Sequence, residues 1–366
     1  MLYIGLMSGT SLDGIDAALV DIDEMGRPTL IAQHFLPYMQ TLQSQIFSLS
    51  QSAKINVVEM QLLDQKLGRL YAECVITLLE NNSIPAEEVQ AIGCHGQTLR
   101  HQPRPNAFSL QIGDANQIAE LTRITTVADF RRRDIAAGGE GAPLVPAFHQ
   151  HVFSSSNKPR QILNLGGIAN ITVLSKQADE SFGFDLGPAN ALSNEWVNQH
   201  WQIEFDKNGA LARSGTVQNQ LLNDWLQLDY FEQVPPKSTG RELFNIKNLQ
   251  ALTPSMHNLA KEDVLASLIE LTAVSVAQGI KRWGHTEGEL LLCGGGEHNS
   301  YLVERIKHHL PQLEIGSTDA LGIPGDMMEA CAFAWLAYRT MQGLAGNSAK
   351  TTGALGPRIL GAIYSA

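Results

Sequence analysis

Residues Leu2–Ile22 read LYIGLMSGTSLDGIDAALVDI, and the same theme returns at Gln161–Leu174 as QILNLGGIANITVL. Each stretch opens on a short apolar run, Leu2–Met7 or Gln161–Leu165. A turn of loop composition follows, Ser8–Gly14 or Gly166-Gly167, and then a second apolar run, Ile15–Ile22 or Ala169–Leu174. Short apolar runs punctuated by glycine predict strand, tight turn, strand. A third variant is Glu289–Cys293 (ELLLC), followed by Gly294-Gly295-Gly296 and a predicted helix over Ser300–Leu310.

The segments between these units carry the helices. Val57–Leu79 spaces Leu62, Leu67, Leu70, Tyr71, Cys74 and Leu78 along one helical stripe,. Lys261–Trp283 does the same with Leu265, Leu268, Ile269, Thr272, Val276 and Ile280,. Further helices are predicted over Thr41–Leu49, from Asp114, over Ala189–His200 and over Asp326–Met341. Short strands are predicted at Val89–Cys94, Thr125–Ala128 and Ile359–Tyr364. Asp129–Pro146, DFRRRDIAAGGEGAPLVP, reads as a charged, glycine-rich hinge. The pattern predicts a duplicated α/β architecture. It is not a solenoid, since no period of about 20–50 residues is visible. No G-x-G-x-x-G links a strand to a helix and no P-loop motif occurs, so a single dinucleotide-binding domain and a P-loop NTPase are excluded.

Composition narrows the class. The chain has 366 residues, 44% hydrophobic and 17% charged, which suits one or two folded domains rather than a disordered chain,. Its 32 glycines fall in clusters without a collagen period,. A net charge of −11 argues against a general nucleic-acid or anionic-membrane binder,. Four cysteines without a CxxC pair fit a reduced, cytoplasmic protein and show no zinc spacing,. The N-terminus lacks the basic region of a signal peptide, and the longest apolar runs, such as Ala330–Tyr338, fall short of the ~18 residues of a membrane span,. The pairs His149/His151 and His308/His309 read as surface residues.

The glycine loops bear the chemistry. Glycine lets the backbone approach a ligand, and successive N–H groups in a turn form an anion-binding concavity. Gly9-Thr10-Ser11-Leu12-Asp13-Gly14 adds hydroxyl donors suited to a phosphate tail, although a plain hairpin tip has the same composition. Asn164–Asn170 is either a second such loop or a second hairpin. Gly294–Gly296 is either a close approach to a ligand or a tight turn. Asp185, in FDLGPAN, is a candidate base at the end of a strand, with helix capping as the competing role,. Arg131, Arg132 and Arg133 suit capture of an anion or form a solvated charge run,. His95-Gly96-Gln97-Thr98 follows a buried strand, where α/β sheets bind ligands, or is a simple loop,. Glu329 is either a site carboxylate or a favourable charge in a helix's first turn,.

In order along the chain, GLMSGTSLDGID (Gly5–Asp16), CHGQT (Cys94–Thr98), QIGDAN (Gln111–Asn116), Asp129–His149, LNLGGIANIT (Leu163–Thr172), GFDLGPAN (Gly183–Asn190), LCGGGEHN (Leu292–Asn299) and Pro324–Ala334 resemble the anhydro-N-acetylmuramic acid kinases. That family lies in the superfamily of acetate and sugar kinases, heat-shock chaperones and actin. The resemblance implies a two-domain actin-like ATPase fold, ribonuclease H-like, with a duplicated βββαβα core and a cleft between domains. Domain I is expected over 1–130 plus 351–366, and domain II over 131–350. ATP and Mg²⁺ are implied, with the metal's ligands open. Gly9, Thr10, Ser11, Leu12, Asp13, Gly14, Ile15 and Asp16 would hold the ATP phosphates. Asn164, Gly166 and Gly167 form the second phosphate loop, and Gly294, Gly295 and Gly296 pack on adenosine. Asp185 matches the base that deprotonates the water attacking C1. Ser11, His95, Gln97, Arg131 and Glu329 would contact the anhydro sugar. A homodimer, with no nucleic-acid or membrane partner, is expected.

Two positions depart from the pattern: Glu140 stands where the family has Gln, and Leu6 where many superfamily kinases carry a metal-binding Asp. The competing functions are a non-catalytic nucleotide switch of the actin or chaperone type and a glycosidase using Asp185 and Glu329 without nucleotide.

Overall fold

The computed structural model describes residues 1–9, 11–52, 54–102, 106–177 and 180–366. Along the chain come β1 (Leu2–Ser8), β2 (Gly14–Ile22), β3 (Pro28–Pro37), α1 (Gln40–Gln51), α2 (Val57–Asn82), β4 (Val89–Gln102), β5 (Phe108–Ile112), α3 (Ala115–Thr122), β6 (Thr126–Ala128), α4 (Phe130–Ala136) and α5 (Val145–Phe153). Next are β7 (Arg160–Leu165), β8 (Ile168–Leu174), β9 (Phe182–Pro188), α6 (Asn190–Trp201), α7 (Ala210–Ser214), α8 (Asn219–Trp225), α9 (Ile246–Leu252), α10 (Lys261–Trp283), β10 (Gly288–Cys293), α11 (Ser300–His309) and β11 (Leu313–Ser317). The chain closes with α12 (Met328–Met341), α13 (Ala349–Thr352) and β12 (Ala362–Tyr364).

Contacts divide the chain into two units, Met1–Val152 with Met327–Ala366, and Phe153–Asp326. The first unit's sheet runs β12-β6-β4-β1-β2-β3, with β5 paired to β4; the second runs β11-β10-β7-β8-β9. In both, three consecutive strands pair antiparallel, a later strand (β4 or β10) adds parallel to the first of the three, and a further strand (β6 or β11) adds parallel to that one; in the first unit β5 and β12 join antiparallel. This shared order is the ribonuclease H-like topology, duplicated as in actin-like ATPases. The parallel centre has helices on its faces, so β1 buries Tyr3, Ile4, Leu6 and Met7 in succession rather than alternately,.

Residues 131–152 and 327–350 fall with the first unit instead of the second. The physical reason is α12, whose backbone lies directly on β1 and β4. A Cβ added at Gly5 would overlap the Ala330 carbonyl oxygen, and one at Gly93 would overlap that of Phe333. The expected hinge over 129–146 is a short helix, α4, a loop and the start of α5, all within that unit. β4 also continues through His95–Thr98 to Gln102, because β5 pairs with Gln97–Gln102. β3, unread from the sequence, is the sheet edge, half-buried in alternation.

The helices follow their local signals. Asn56 caps α2 by accepting from the N–H groups of Val58 and Glu59,. The buried stripe of α2 includes Leu63 where Leu62 was expected; Leu62 is exposed. Asp114 caps α3. α10 carries Glu262 and Asp263 in its first turn and Lys281 and Arg282 in its last, matching the helix dipole,. Among the described residues it alone is long and apolar enough to cross a membrane, but it lies in the core of the second unit. Two of the histidines read as surface residues are not free there. His149 is buried, and His309 donates to buried Glu270 at 2.7 Å.

Glu270 also takes a bidentate pair from Arg305, at 2.6 and 2.9 Å. Burial alone would raise its carboxyl pKa, but the bonds from Arg305 and His309 outweigh it and hold the group below the ordinary glutamate range. A depressed folded-state pKa contributes stability above the unfolded value, and that contribution is lost as pH falls through the folded value. Glu270→Gln is therefore expected to cost about 2 kcal/mol at neutral pH. The gap from the parent should shrink below about pH 4, as read by urea midpoints at both pH values. An equal gap at both pH values would refute the charged pair as its source.

Candidate active site

Three glycine-bearing turns, two strand bulges and the helices α4 and α12 hold the residues singled out by sequence. The β1–β2 turn is pinned at several points in the first unit. Tyr38 N–H donates to the Asp13 carbonyl at 2.9 Å, and Gln97 Nε2 donates to the Gly9 carbonyl at 3.1 Å. Asp13 Oδ1 accepts from Ser11 Oγ at 2.7 Å and from Gly14 N–H at 3.1 Å. Leu12 takes a left-handed conformation, φ 62°. Gly9 stays open, since an added Cβ would meet only Ser11. Thr10 lies outside the described residues. Ile15 is fully buried in β2 and offers a ligand only backbone, while Asp16 pairs in the ladder with Met7. Beneath the turn, Tyr71 Oη donates to Ser8 Oγ at 2.8 Å, and Ser8 Oγ lies 3.0 Å from Tyr38 Oη.

His95 and Gln97 flank a β-bulge. Leu6 pairs with Cys94 and Ser8 with Gln97, so Met7 faces two residues, His95 and Gly96. Gly96 supplies the positive φ, 76°, that the bulge requires,. Gln97 is fully buried and its Oε1 has no partner among the described residues. Arg131 donates to His95 Nε2 from both Nε (3.0 Å) and Nη2 (2.8 Å), and from Nη1 to the Gly141 carbonyl at 2.8 Å. His95 Nε2 must therefore be an acceptor, which leaves the ring neutral with its proton on Nδ1. Burial, reinforced by the Arg131 charge, drives the imidazole pKa well below its usual value.

Burial lowers the Arg131 pKa, and the charges of Glu329 and Asp134 oppose the fall. Glu329, in the first turn of α12, is exposed, yet desolvation raises its carboxyl pKa and Arg131 only partly offsets it. Arg132 and Arg133 are exposed, and Arg132 pairs with Asp129 at 3.2 Å. Of the three arginines, Arg132 and Arg133 are solvated and only Arg131 turns inward. Glu140 is half-buried, and its N–H donates to the Thr352 carbonyl at 2.8 Å.

In the second unit, the carbonyls of Gly166 and Gly167 accept from the N–H groups of residues 189–191 at the start of α6. Added Cβ atoms at Gly166 and Gly167 would meet nothing closer than 3.6 Å, so this turn is open to an approaching group. The Gly294–Gly296 turn divides its glycines. A Cβ at Gly294 would overlap Asn164 Oδ1, and one at Gly296 would come within 2.6 Å of Leu165, but Gly295 has nothing within 4 Å. Two glycines fit the end of β7 and one presents bare backbone.

Asp185 sits at the second bulge. Asn170 pairs with Asp185 and Ala169 with Gly187, which leaves Leu186 as the extra residue. The Asp185 backbone bonds to the 230–239 loop instead: its N–H donates to the Lys237 carbonyl (3.2 Å) and its carbonyl accepts from Tyr230 Oη (2.7 Å). Its Oδ2 accepts from Ser238 Oγ (2.8 Å) and Thr239 N–H (3.0 Å). Oδ1 has no protein partner among the described residues. Burial raises the carboxyl pKa, opposed by those two bonds. Helix capping is ruled out, because Ala189 occupies the N-cap of α6. The sequence reading missed Tyr230, Lys237, Ser238 and Thr239. The lone glycines Gly96 and Gly187 inside strand patterns were the available signal for the two bulges.

Glu297, His298 and Asp326 cluster beyond the third glycine turn, with His298 Nε2 3.0 Å from Asp326 Oδ2. Glu297 Oε2 accepts from Ser317 Oγ at 2.8 Å.

Paired ribonuclease H-like units, each opening on a glycine turn, define a protein of the actin-like ATPase class, to which sugar kinases belong. The profile of the anhydro-N-acetylmuramic acid kinase family matches residues 1–366. Three relatives that bear the name anhydro-N-acetylmuramic acid kinase are similar from end to end. That of Photobacterium profundum is 46% identical, covering all of this chain and 98% of its own. That of Saccharophagus degradans is 47% identical over 100% and 99%, and that of Nitrosomonas europaea 46% identical over 100% of both. Among solved structures, the chain is similar to the activator of 2-hydroxyisocaproyl-CoA dehydratase from Clostridium difficile, at 11% identity, 94% and 96% coverage and a TM-score of 0.49. The chain belongs to the anhydro-N-acetylmuramic acid kinase family and is a kinase.

Proposed function

We propose that the enzyme uses ATP to phosphorylate O6 of 1,6-anhydro-N-acetylmuramic acid while water opens the anhydro bridge, giving N-acetylmuramic acid 6-phosphate and ADP. The observation that carries this reading is the Asp185 carboxylate. One oxygen is fixed by Ser238 and Thr239 and the other is unengaged, as a positioned general base requires,. Asp185 takes a proton from water as the water oxygen bonds to C1. The C1–O6 bond breaks, and O6 takes the γ-phosphoryl group from ATP. Attack opposite the departing oxygen follows the logic of an inverting glycosidase. Phosphoryl transfer asks the protein mainly for positioning and charge neutralisation.

The β1–β2 turn around Gly9–Gly14 and the Gly166-Gly167 turn would hold the phosphates, and the bare Gly295 backbone would lie against adenosine. Arg131, His95, Gln97, Ser11 and Glu329 would bind the sugar, with Arg131 matched to its carboxylate. Mg²⁺ would accompany the phosphates and neutralise their charge. Leu6 is fully buried and offers the metal no ligand, and Asp13 Oδ1 is engaged by Ser11 and Gly14. The same reading places the reaction in recycling of bacterial cell-wall sugar in the cytoplasm, by a homodimer.

A coupled assay tests it. ADP release should depend on the anhydro sugar and yield one 6-phosphate per ADP. ADP release with ATP alone, unchanged by sugar, would favour a nucleotide switch. Sugar hydrolysis without ATP would favour a glycosidase.

A further inference from the structure

Asp134 is completely buried in α4, and its carboxylate has three donors, one from the nearby 138–141 loop and two from the remote 347–352 segment. Oδ1 accepts from Asn347 Nδ2 at 2.7 Å and Thr352 Oγ1 at 2.8 Å, and Oδ2 accepts from Gly141 N–H at 2.9 Å. The Asp134 carbonyl takes the N–H groups of Ala137 and Gly139, both at 3.0 Å. The Gly138–Gly141 loop therefore wraps the carboxylate closely. A Cβ at Gly139 would overlap Oδ2. The loop is held a second time to the 347–352 segment, through Glu140 N–H to the Thr352 carbonyl.

Gly141 is the link to the site. Its N–H is spent on Asp134, and its carbonyl receives Arg131 Nη1. Arg131 has its other contacts on His95, so the Gly141 carbonyl sets the rotation of the guanidinium about that contact. A buried carboxylate that joins a nearby loop to a remote chain segment costs desolvation unless all its partners stay in place.

We propose that Asp134 is a positioning residue that fixes the orientation of Arg131 by clasping the 138–141 loop to the 347–352 segment. The inference rests on the reading of Arg131 as a sugar-binding residue. With Asn at 134, one side chain can no longer accept from Asn347, Thr352 and Gly141 together. The loop relaxes and Arg131 loses its third anchor. Loss of orientation weakens sugar binding without touching the β1–β2 turn.

Steady-state kinetics on the full chain, with NMR of the Arg131 Nε–H, test it. Asp134→Asn should raise KM for the anhydro sugar about tenfold with KM for ATP nearly unchanged. Its Arg131 Nε–H should exchange with solvent faster than in the parent. Thr352→Val removes one donor at nearly constant volume, should act in the same direction, and decides the matter if Asp134→Asn does not fold. A folded variant with unchanged sugar KM and unchanged Nε–H exchange overturns the proposal. So does an equal rise in both KM values, which a merely structural role would produce. Arg131→Lys is the control. If it leaves sugar KM unchanged, the sugar-binding role of Arg131 fails. If it raises sugar KM while the Asp134 and Thr352 variants do not, only the positioning role fails.

Discussion

Asp185→Asn should lower kcat at least about 10³-fold, near the upper range for loss of a general base, while ATP affinity stays within a few-fold. The amide is isosteric and still accepts from Thr239 N–H and Ser238 Oγ through its oxygen, so the strand, the bulge and the 230–239 loop are retained. What disappears is a proton acceptor at the Oδ1 position. In the parent, burial raises the Asp185 pKa. The base works only when ionised, so activity should fall as pH drops through this raised pKa, placing the acid limb above the usual aspartate range. Removing the opposing bond by Ser238→Ala should move that limb to still higher pH. Single-turnover rates with calorimetric ATP binding are the measurement. Near-normal turnover in Asp185→Asn would assign the base elsewhere. An acid limb that Ser238→Ala does not move would detach it from Asp185.

The second large effect is on the fold. Gly5→Ala should destabilise the first unit by about 3 kcal/mol or more, since the new methyl must displace main-chain atoms rather than a mobile side chain. For a unit of this size that corresponds to a fall in Tm of about 10 °C. Gly93→Ala should behave alike, through Phe333. The effect should reach function as well. α12 starts with Met328 and Glu329, so lifting the helix from β1 moves the Glu329 carboxylate away from Arg131. Calorimetry and sugar KM measure the two consequences together. A Gly5→Ala protein with parental Tm would refute the close approach of α12 to β1.

The glycines illustrate how far local pattern reaches. Strand, turn and strand around Gly9 and Gly166 are set by neighbours in sequence, since apolar runs and turn residues act within a few positions. The helices α2 and α10 were legible from their stripes. The Leu62 for Leu63 slip in α2 shows that periodicity identifies a face without fixing its phase. Asp185 was legible as a candidate acid or base. That its Oδ2 is held and its Oδ1 free depends on Ser238 and Thr239, which lie far along the chain and carry no pattern of their own.

The sequence by itself determined the duplicated strand–turn–strand units, most of the helices and the family. Each depends on short-range periodicity or on an ordered set of motifs. Only the tertiary structure decided that α12 belongs to the first unit, that His95–Thr98 is strand, and that Arg131 alone of three arginines turns inward. Those outcomes rest on contacts between remote segments. Gly5 and Gly93 receive a helix backbone from the other end of the chain, β5 extends β4 through polar residues, and Arg131 gains a buried acceptor in His95 and another in Gly141 that its neighbours lack.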